Sequence, residues 1–354
     1  MGQSKQAQIA RTPCRPLISS HALKEAQVKR LSILVFVTAL GLALAACGGS
    51  TASNGGNSPP RIAFLAAGVD ATYTPAQVAG LEQGSGEKVT VFNPQYDPGT
   101  QLSQCQDVIT QQNYAAIVIT PLNNSSAIPC AKAAYAAKIP LIVDGTAIGK
   151  DINSLQPQVQ GVDFSMIWVP STFSRYTWAL IKSACTGKSK CQVVMERDYV
   201  GDPLFDTDVN YVEQQSAGTN IKVVATYESN YDPAQTTSKL TDILVANPNV
   251  DVVTFVNDPT ALAGAAVIDK LGRKGRVMAI GSGGTKTGVA AVSSGELYAT
   301  IANLPRTASK IEGQMVLKAI RSATISPLGM DAFQLGGVGG AIAKSSIAKF
   351  TPEW

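Results

Sequence analysis

Residues that perform hydrolytic and transfer chemistry are scarce in this sequence. Its only histidine is His21, which precedes the cysteine at which we expect the mature protein to begin. Without a histidine, Ser–His and Cys–His nucleophile pairs and most zinc sites cannot form. Asp206 and Asp208 are close in sequence, and paired carboxylates can hydrolyse glycosides, but two acids alone are a weak signal. We therefore expect a binding protein without a metal site rather than an enzyme.

The glycine-rich segments do not match nucleotide-binding motifs. Residues 281–287 (GSGGTKT) are similar to a phosphate loop, which needs glycine directly before the lysine and again five residues earlier. Those positions hold Thr285 and Ile280. Residues 66–70 (AAGVD), after the first apolar run, also lack the G-x-G-x-x-G pattern. We expect no nucleotide and no other cofactor.

The start of the chain has the features of an export signal. Two basic residues at 29–30 precede an apolar run at 31–46, which is shorter than the roughly 20 residues that span a bilayer but suits a signal peptide. Residues 44–47 (LAAC) resemble the lipobox of bacterial lipoproteins, in which the cysteine, here Cys47, carries the lipid. An ordinary signal peptide or a short anchor is the alternative. Residues 48–60 (GGSTASNGGNSPP) then predict a flexible tether with a reach of about 20 Å.

These features predict an extracytoplasmic protein that is held to the cell membrane by a lipid anchor. Residues 1–46 form the prefix and signal peptide, and residues 47–60 form the tether. The remainder after residue 46 contains 23 basic and 24 acidic residues. A chain so close to neutrality has no electrostatic footprint for nucleic acid.

Four cysteines remain once Cys14 and Cys47 are set aside. An exported protein meets an oxidising environment, where paired cysteines form disulfides. We predict one bridge between Cys185 and Cys191, across a short turn. We predict a second between Cys105 and Cys130, which joins the helices on either side of one strand. Free buried thiols are the alternative for both pairs.

Short apolar runs alternate with longer amphipathic ones from residue 61 onward. The runs predict strands at 62–66, 88–92, 115–120, 140–143, 192–195, 222–227, 252–256, 277–280 and 298–301. The stretches between them predict helices, among them 99–112, 125–138, 171–183, 232–246, 260–271 and 306–321. Strands that alternate with helices indicate parallel sheets covered on both faces. A single sheet of this size would be unusual, so we expect an α/β protein with two doubly wound lobes.

Two segments carry a family resemblance. Residues 96–145 and 230–320 resemble the periplasmic ribose-binding protein family, which has the type I sugar-binding fold. The successive motifs VNDPTALAGA, VMAIGSGG and GELYATIANLP carry it most specifically. The resemblance implies two parallel-sheet lobes joined by a three-strand hinge. It places lobe 1 at 61–163 plus 304–330 and lobe 2 at 164–303 plus 331–354.

The resemblance also implies a ligand site, at the carboxyl ends of the strands where two lobes meet. Tyr73 and Tyr231 match aromatic residues that cover a sugar ring, Asn257 and Asn303 match amides that bind hydroxyls, and Asp144 matches a carboxylate that takes two hydroxyls. Thr120, Asp206 and Ser282 complete the expected set. Aromatic faces suit the C–H surface of a ring, and the polar groups suit its hydroxyls.

The sequence also departs from the ribose-binding pattern. Where ribose binders have two arginines, this chain has Gly145 and Thr207, and where they have a Phe-Asp pair it has Ser282-Gly283. The expected asparagine near the first helix is Ala71. Because small residues cannot replace arginine forks at a bidentate site, ribose itself is not the expected ligand. Arg197 is the reserve candidate for an anionic ligand.

Several of these residues have structural alternatives. Asn257 precedes Asp-Pro and could cap a helix, Asn303 could be a hinge residue, and Asp144 could form a turn. The expected function is capture of a small polar solute, a monosaccharide or similar polyol, by a monomeric lipoprotein that delivers it to an ABC-transporter permease. The alternatives are a sensory receptor for a membrane kinase or chemoreceptor, and a binding protein for a nucleoside, a signalling furanose or an aromatic compound.

Overall fold

The computed structural model describes residues 61–199, 201–335, 337 and 340–354. The predicted signal peptide, Cys47 and the tether lie outside the described residues. Within this part of the chain, no helix is both long enough and apolar enough to cross a membrane.

Strands and helices alternate along nearly the whole described chain. The strands are β1 (Arg61–Leu65), β2 (Lys88–Phe92), β3 (Ala116–Ile119), β4 (Leu141–Gly145), β5 (Phe164–Ile167), β6 (Cys191–Arg197), β7 (Ile221–Glu228), β8 (Val250–Thr254), β9 (Met278–Gly283), β10 (Ala299–Ala302), β11 (Gly329–Asp331) and β12 (Ala341–Ala343). The α-helices are α1 (Tyr73–Ser85), α2 (Pro98–Gln111), α3 (Ile128–Ala136), α4 (Pro170–Ala184), α5 (Pro203–Ser216), α6 (Pro233–Ala246), α7 (Asp258–Lys270), α8 (Lys286–Ser294) and α9 (Pro305–Ile320).

The strands form two sheets of equivalent topology. The first has the order β11-β5-β4-β3-β1-β2, with every neighbouring pair parallel. The second has the order β12-β10-β9-β8-β6-β7 and is parallel except for β12, which is antiparallel to β10. Most strand residues are buried on both faces, as expected for sheets covered by helices on both sides. The prediction of two doubly wound lobes is confirmed.

The lobe boundaries differ from those expected from the resemblance. β5 pairs with β4 in the first sheet, with Phe164 beside Ile142, so this sheet extends to Ile167 and does not stop at residue 163. β11 pairs with β5, which places Asp331 in the first sheet as well. The four residues of β5 (FSMI), three of them apolar, did not predict a strand because so short a run carries no periodicity of its own.

Asp-Pro pairs start several helices at the ends of strands. Asp97, Asp202 and Asp232 are N-cap residues whose side chains accept hydrogen bonds from backbone N–H groups of the first helical turn, and each is followed by proline. The carboxylate satisfies an otherwise unpaired donor, and proline suits the first helical position. These local signals place the helix N-termini beside the carboxyl ends of the strands.

Both predicted disulfides are present. Cys105–Cys130 joins α2 to α3, with the two Cα atoms 5.9 Å apart. Cys185–Cys191 closes the turn between α4 and β6, with a Cα separation of 5.7 Å.

Glycines set the close packing of α1 against α9 in the first lobe. A Cβ atom at Gly84 would overlap the backbone carbonyl of Lys310. We expect Gly84→Ala to push the helices apart and to lower the free energy of unfolding by about 1–3 kcal/mol, measured by urea unfolding. Gly99→Ala is the control, because a Cβ there meets only the Asp97 side chain at 3.4 Å. Equal stability of the two variants would contradict the prediction.

A buried carboxyl between α4 and α5 makes the stability depend on pH. Burial raises the pKa of Asp208 to about 7, and the nearby hydroxyls of Thr177 and Ser174 offset only part of this rise. Between about pH 4 and pH 7 the folded protein keeps a proton on Asp208 that the unfolded chain has lost. The free energy of unfolding therefore falls as the pH rises from about 4 to about 7, and it is lower above that range than below it. We expect Asp208→Asn to be more stable than the wild type by about 2–4 kcal/mol at pH 8 and to lose this advantage near pH 4. Unfolding curves at both pH values test this, and a pH-independent difference would contradict it.

Candidate functional site

A cavity of about 370 Å³ lies between the carboxyl ends of the two sheets. This volume is within the usual range for small-molecule sites. The first lobe contributes residues from the start of α1 and from the ends of β3, β4 and β5, and the second contributes residues that follow β6, β7 and β8. The lining includes Gln77, Tyr96, Thr120, Gly145, Trp168, Tyr199, Asp202, Phe205, Tyr231, Asn257, Ser282, Asn303, Phe333 and Trp354.

The structure brings six of the eight residues expected from the resemblance to this cavity. Tyr73 and Thr120 lie on the wall formed by the first lobe. Tyr231, Asn257, Ser282 and Asn303 follow or end strands of the second sheet. They converge because the carboxyl ends of parallel strands share one edge of a sheet.

Asn257 lines the cavity and also caps α7. Its Oδ1 accepts a hydrogen bond from the Thr260 backbone N–H at 2.8 Å, and the Thr260 hydroxyl faces the Asn257 backbone N–H in a capping box. The helix-capping role, which was the alternative to ligand binding for Asn257, is therefore present in the structure. Because the cap uses the amide oxygen, the amide nitrogen remains as the group that can reach a ligand.

Asn303 and Tyr73 meet where the chain returns to the first lobe. The Oδ1 atom of Asn303 is buried and has no hydrogen-bond partner among the described residues. Burial, reinforced by the charge of Asp144, raises the pKa of the Tyr73 hydroxyl, so this group stays neutral. The Trp354 ring packs edge-on against Tyr73 with the centroids 4.9 Å apart, and its Nε1–H donates to the Gly283 carbonyl at 3.1 Å.

Asp144 differs from the expectation, because it lies behind the cavity wall and is only 1% exposed. Its Oδ2 accepts hydrogen bonds from Gln77 Nε2 at 2.7 Å and from Thr120 Oγ1 at 2.8 Å. Both donors line the cavity. Gln77 and Thr120 therefore separate the carboxylate from the ligand space.

A second buried acid accompanies Asp144. Burial raises the pKa of Glu312 well above its usual range, and the nearby charge of Asp144 raises it further. Burial also raises the pKa of Asp144, while the hydrogen bonds from Thr120 and Gln77 lower it. Since two adjacent buried carboxyls do not both ionise, Glu312 holds a proton and Asp144 is the hydrogen-bond acceptor of the group.

Asp206 is the other predicted residue that the structure does not bring to the cavity. Its Oδ1 lies 3.3 Å from Nη1 of Arg197, and neither residue lines the cavity. Asp202, at the N-cap of α5, occupies the wall instead. Asp206 is one helical turn further along α5, about 5.4 Å beyond Asp202.

Gly145 explains part of the departure from the ribose-binding pattern. Its φ is +87°, and a Cβ atom there would lie 3.3 Å from both Thr120 Cγ2 and Trp168 Cδ1. An arginine at this position would be strained by the backbone and blocked by the indole. The Trp168 ring therefore lines the space beside Asp144 on this wall.

Aromatic side chains form much of the wall, and sequence reasoning assigned only two of them to the site. The others are Tyr96, Trp168, Tyr199, Phe205, Phe333 and Trp354. A repeated motif could have revealed Tyr96. Residues 95–98 (QYDP) and 230–233 (NYDP) start equivalent helices in the two lobes, and both tyrosines have positive φ values, 62° and 57°.

These two motifs meet across the cleft. The rings of Tyr96 and Tyr231 are stacked with centroids 6.3 Å apart, and Tyr96 also lies 6.0 Å from the Tyr199 ring. The Tyr199 hydroxyl donates to the Leu122 carbonyl of the first lobe at 3.1 Å. The two walls therefore contact each other directly, and the cleft is closed at this edge.

The cavity wall is acidic. None of its lining residues, all within the described part of the chain, is Lys, Arg or His, whereas Asp70 and Asp202 line it. In the same part of the chain, no cluster of three or more His, Cys, Asp or Glu is arranged to hold a metal ion. The arrangement suits a ligand held by hydrogen bonds and aromatic faces.

Comparison with known proteins agrees with this architecture. The family model of the periplasmic binding protein domain matches residues 62–323, so the chain belongs to that family. A ribose import binding protein of Salmonella typhimurium is 27% identical over 223 residues, which is 62% of this chain and 70% of the relative.

Solved structures share the fold. A solute-binding protein of an ABC transporter from Actinobacillus succinogenes, with bound D-allose, has a TM-score of 0.70 and 22% identity over 82% of this chain and 100% of its own. A Mycobacterium smegmatis protein in complex with β-D-fucofuranose has a TM-score of 0.67 and 15% identity, over 82% of this chain and 93% of its own. The expected resemblance to this family is confirmed.

Proposed function

We propose that this protein captures a sugar or similar polyol in the cavity between its lobes and delivers it to an ABC-transporter permease. The observation that carries the proposal is the cavity of about 370 Å³ between the lobes, which both lobes line mainly with aromatic rings and hydrogen-bonding groups. Rings cover the C–H surface of a sugar, and amides and hydroxyls pair with its hydroxyl groups.

Two hydrogen-bonding sets would hold the ligand from opposite sides. Gln77 and Thr120 face it from the first lobe, and Asn257 and Ser282 face it from the second. Only the closed form satisfies both sets, so the ligand shifts the equilibrium toward closure by its differential affinity for that form. The chain passes from one sheet to the other after β5, β10 and β11, and these crossovers would act as the hinge.

The charge of the wall excludes one ligand class. An anionic sugar, such as a uronate or a sugar phosphate, would face Asp70 and Asp202 without a compensating cation. Arg197, the reserve candidate for such a ligand, is paired with Asp206 outside the cavity. A ribose import binding protein and a D-allose complex among the similar proteins support a carbohydrate ligand.

The proposed setting is the outer face of the cell membrane. The leader at 31–46 and the LAAC motif support export and lipidation at Cys47. The chain would act as a monomer and would meet the permease while anchored. Mass spectrometry of the mature N-terminus tests this, and an unmodified Cys47 in the membrane fraction would contradict it.

A thermal-shift screen tests the proposed ligand class. The purified protein is heated with pentoses, hexoses, amino sugars and polyols, and with glucuronate and ribose 5-phosphate as anionic controls. A true ligand at about 100 times its dissociation constant adds ~2.7 kcal/mol of stability and raises the unfolding temperature. Stabilisation by none of the carbohydrates would contradict the proposal.

A further inference from the structure

Two carboxyl groups lie together at the wall that the second lobe contributes. Asp202 lines the cavity, and Asp198, at the end of β6, lies behind it and is fully buried. Both carboxyl oxygens of Asp198 are buried without a hydrogen-bond partner among the described residues. Burial raises the pKa of Asp198, and the charge of Asp202 raises it further. Burial and the neighbouring Asp202 together keep Asp198 protonated.

Three tyrosine rings surround this acidic pair. Tyr231 and Tyr199 are near enough for the charges of both acids to raise the pKa of their hydroxyls, although burial contributes more. Tyr96 approaches from the first lobe and stacks on Tyr231. The acids and rings together form one end of the cavity.

No cation of the protein balances these acids. The other charged groups nearby are Asp70, on the opposite wall, and Asp206, which already holds Arg197 at 3.3 Å. The lining residues include no Lys, Arg or His within the described chain. In the empty site, the two carboxyls avoid mutual repulsion only by retaining a proton.

A positively charged group on the ligand would balance the negative charge at this end of the cavity. An ammonium group that lies against Asp202 pairs with the carboxylate on the cavity wall while Asp198 keeps its proton behind it, and the faces of the tyrosine rings attract the cation. A neutral hydroxyl can form a single hydrogen bond there but cannot compensate the charge of Asp202. The site therefore favours a positively charged group over a hydroxyl at this end.

We infer that the captured solute is a polyhydroxy compound with a primary amino group, such as an amino sugar, and that its ammonium lies against Asp202. This inference rests on the proposed function, because it concerns the ligand of the same cavity. It assigns the hydroxyl-binding role to the residues from the first lobe and from β8, and the charge-binding role to Asp202.

The test compares matched ligands that differ only in the group on C2, which is an ammonium, a hydroxyl or an acetamido group. Calorimetry at about pH 6 measures the binding of D-glucosamine, D-glucose and N-acetyl-D-glucosamine to the full-length chain, and of the corresponding galacto and manno compounds. In at least one series we expect the amino sugar to bind more tightly than its neutral partners by about tenfold or more.

Two variants test whether Asp202 is responsible for the preference for the amino sugar. Asp202→Asn should lower the affinity for the amino sugar by about tenfold or more and change that for the neutral sugar much less. Asp242→Asn is the matched control, because Asp242 is exposed on α6 and far from the lining residues. Circular dichroism spectra and unfolding temperatures verify that each variant folds.

The possible failures are distinguishable. If neutral sugars bind as tightly as amino sugars, or if Asp202→Asn weakens both equally, the inference is wrong and the proposed function stands. If no member of any series binds, the inference is wrong, and the thermal-shift screen with pentoses, other hexoses and polyols separately decides the carbohydrate proposal.

Discussion

Asp144→Ala is expected to weaken ligand binding by about tenfold or more, although the carboxylate does not line the cavity. Its Oδ2 holds Gln77 and Thr120 at 2.7 and 2.8 Å, and both side chains face the ligand space. Without the acceptor these donors lose their orientation, and an unpaired buried polar group costs about 1–3 kcal/mol. Calorimetry with a ligand identified by the screen measures the effect.

Asp163→Asn is the control for this experiment. Asp163 Oδ2 accepts a hydrogen bond from the Leu141 backbone N–H at 2.9 Å, at the opposite end of the same strand β4. This variant should lose stability and keep its ligand affinity. Asp144→Asn separates positioning from packing, because it preserves the volume and places an amide beside the donors. Wild-type affinity in both Asp144 variants would show that the carboxylate does not organise the site.

The second large effect is expected for Tyr231→Ala, which should weaken binding by about tenfold or more. The substitution removes an aromatic wall of the cavity and the stack with Tyr96 across the cleft. Stacking on an aromatic pair contributes about 0.5–1.5 kcal/mol beyond the buried area, and the ring also covers the ligand. The closed form should become less populated, because one contact between the lobes is lost.

Calorimetry measures the affinity of this variant, and small-angle scattering with and without ligand measures the closure. Tyr231→Phe should retain most of the affinity, because it keeps the ring. Tyr135→Ala is the control, since Tyr135 is an aromatic side chain on α3 that is 54% exposed. Unchanged affinity and unchanged scattering in Tyr231→Ala would remove this residue from the site.

The topology was predictable because it depends on local patterns. Apolar runs such as 62–66 and 88–92 coincide with β1 and β2 to within one residue, and Asp-Pro pairs mark the helix starts. The disulfides were predictable for a similar reason, since helices on either side of one strand are neighbours in a doubly wound sheet. β5 was missed because its four residues form a strand only through pairing with β4.

The sequence predicted where the site lies, but it predicted only some of the residues that line it. Asn257, Asn303 and Tyr231 follow strand ends, and the strand ends of both lobes converge on the cleft. Asp144 occupies such a position too, but Gln77 from α1 and Thr120 from β3 separate it from the cavity. Asp202 was passed over in favour of Asp206, although it is the residue at the helix start and therefore nearer to the strand ends.

The sequence by itself determined two parallel-sheet lobes, the two disulfide pairs, and the edge of each sheet where ligands bind. Each of these follows from residues that are neighbours in the chain or in adjacent elements. Only the tertiary structure decided which side chains face the ligand. The pairing of Tyr96 with Tyr231 and the contact of Trp354 with Tyr73 bring together elements of different lobes or distant parts of the chain. Such contacts depend on how the helices and lobes pack, which no local pattern encodes.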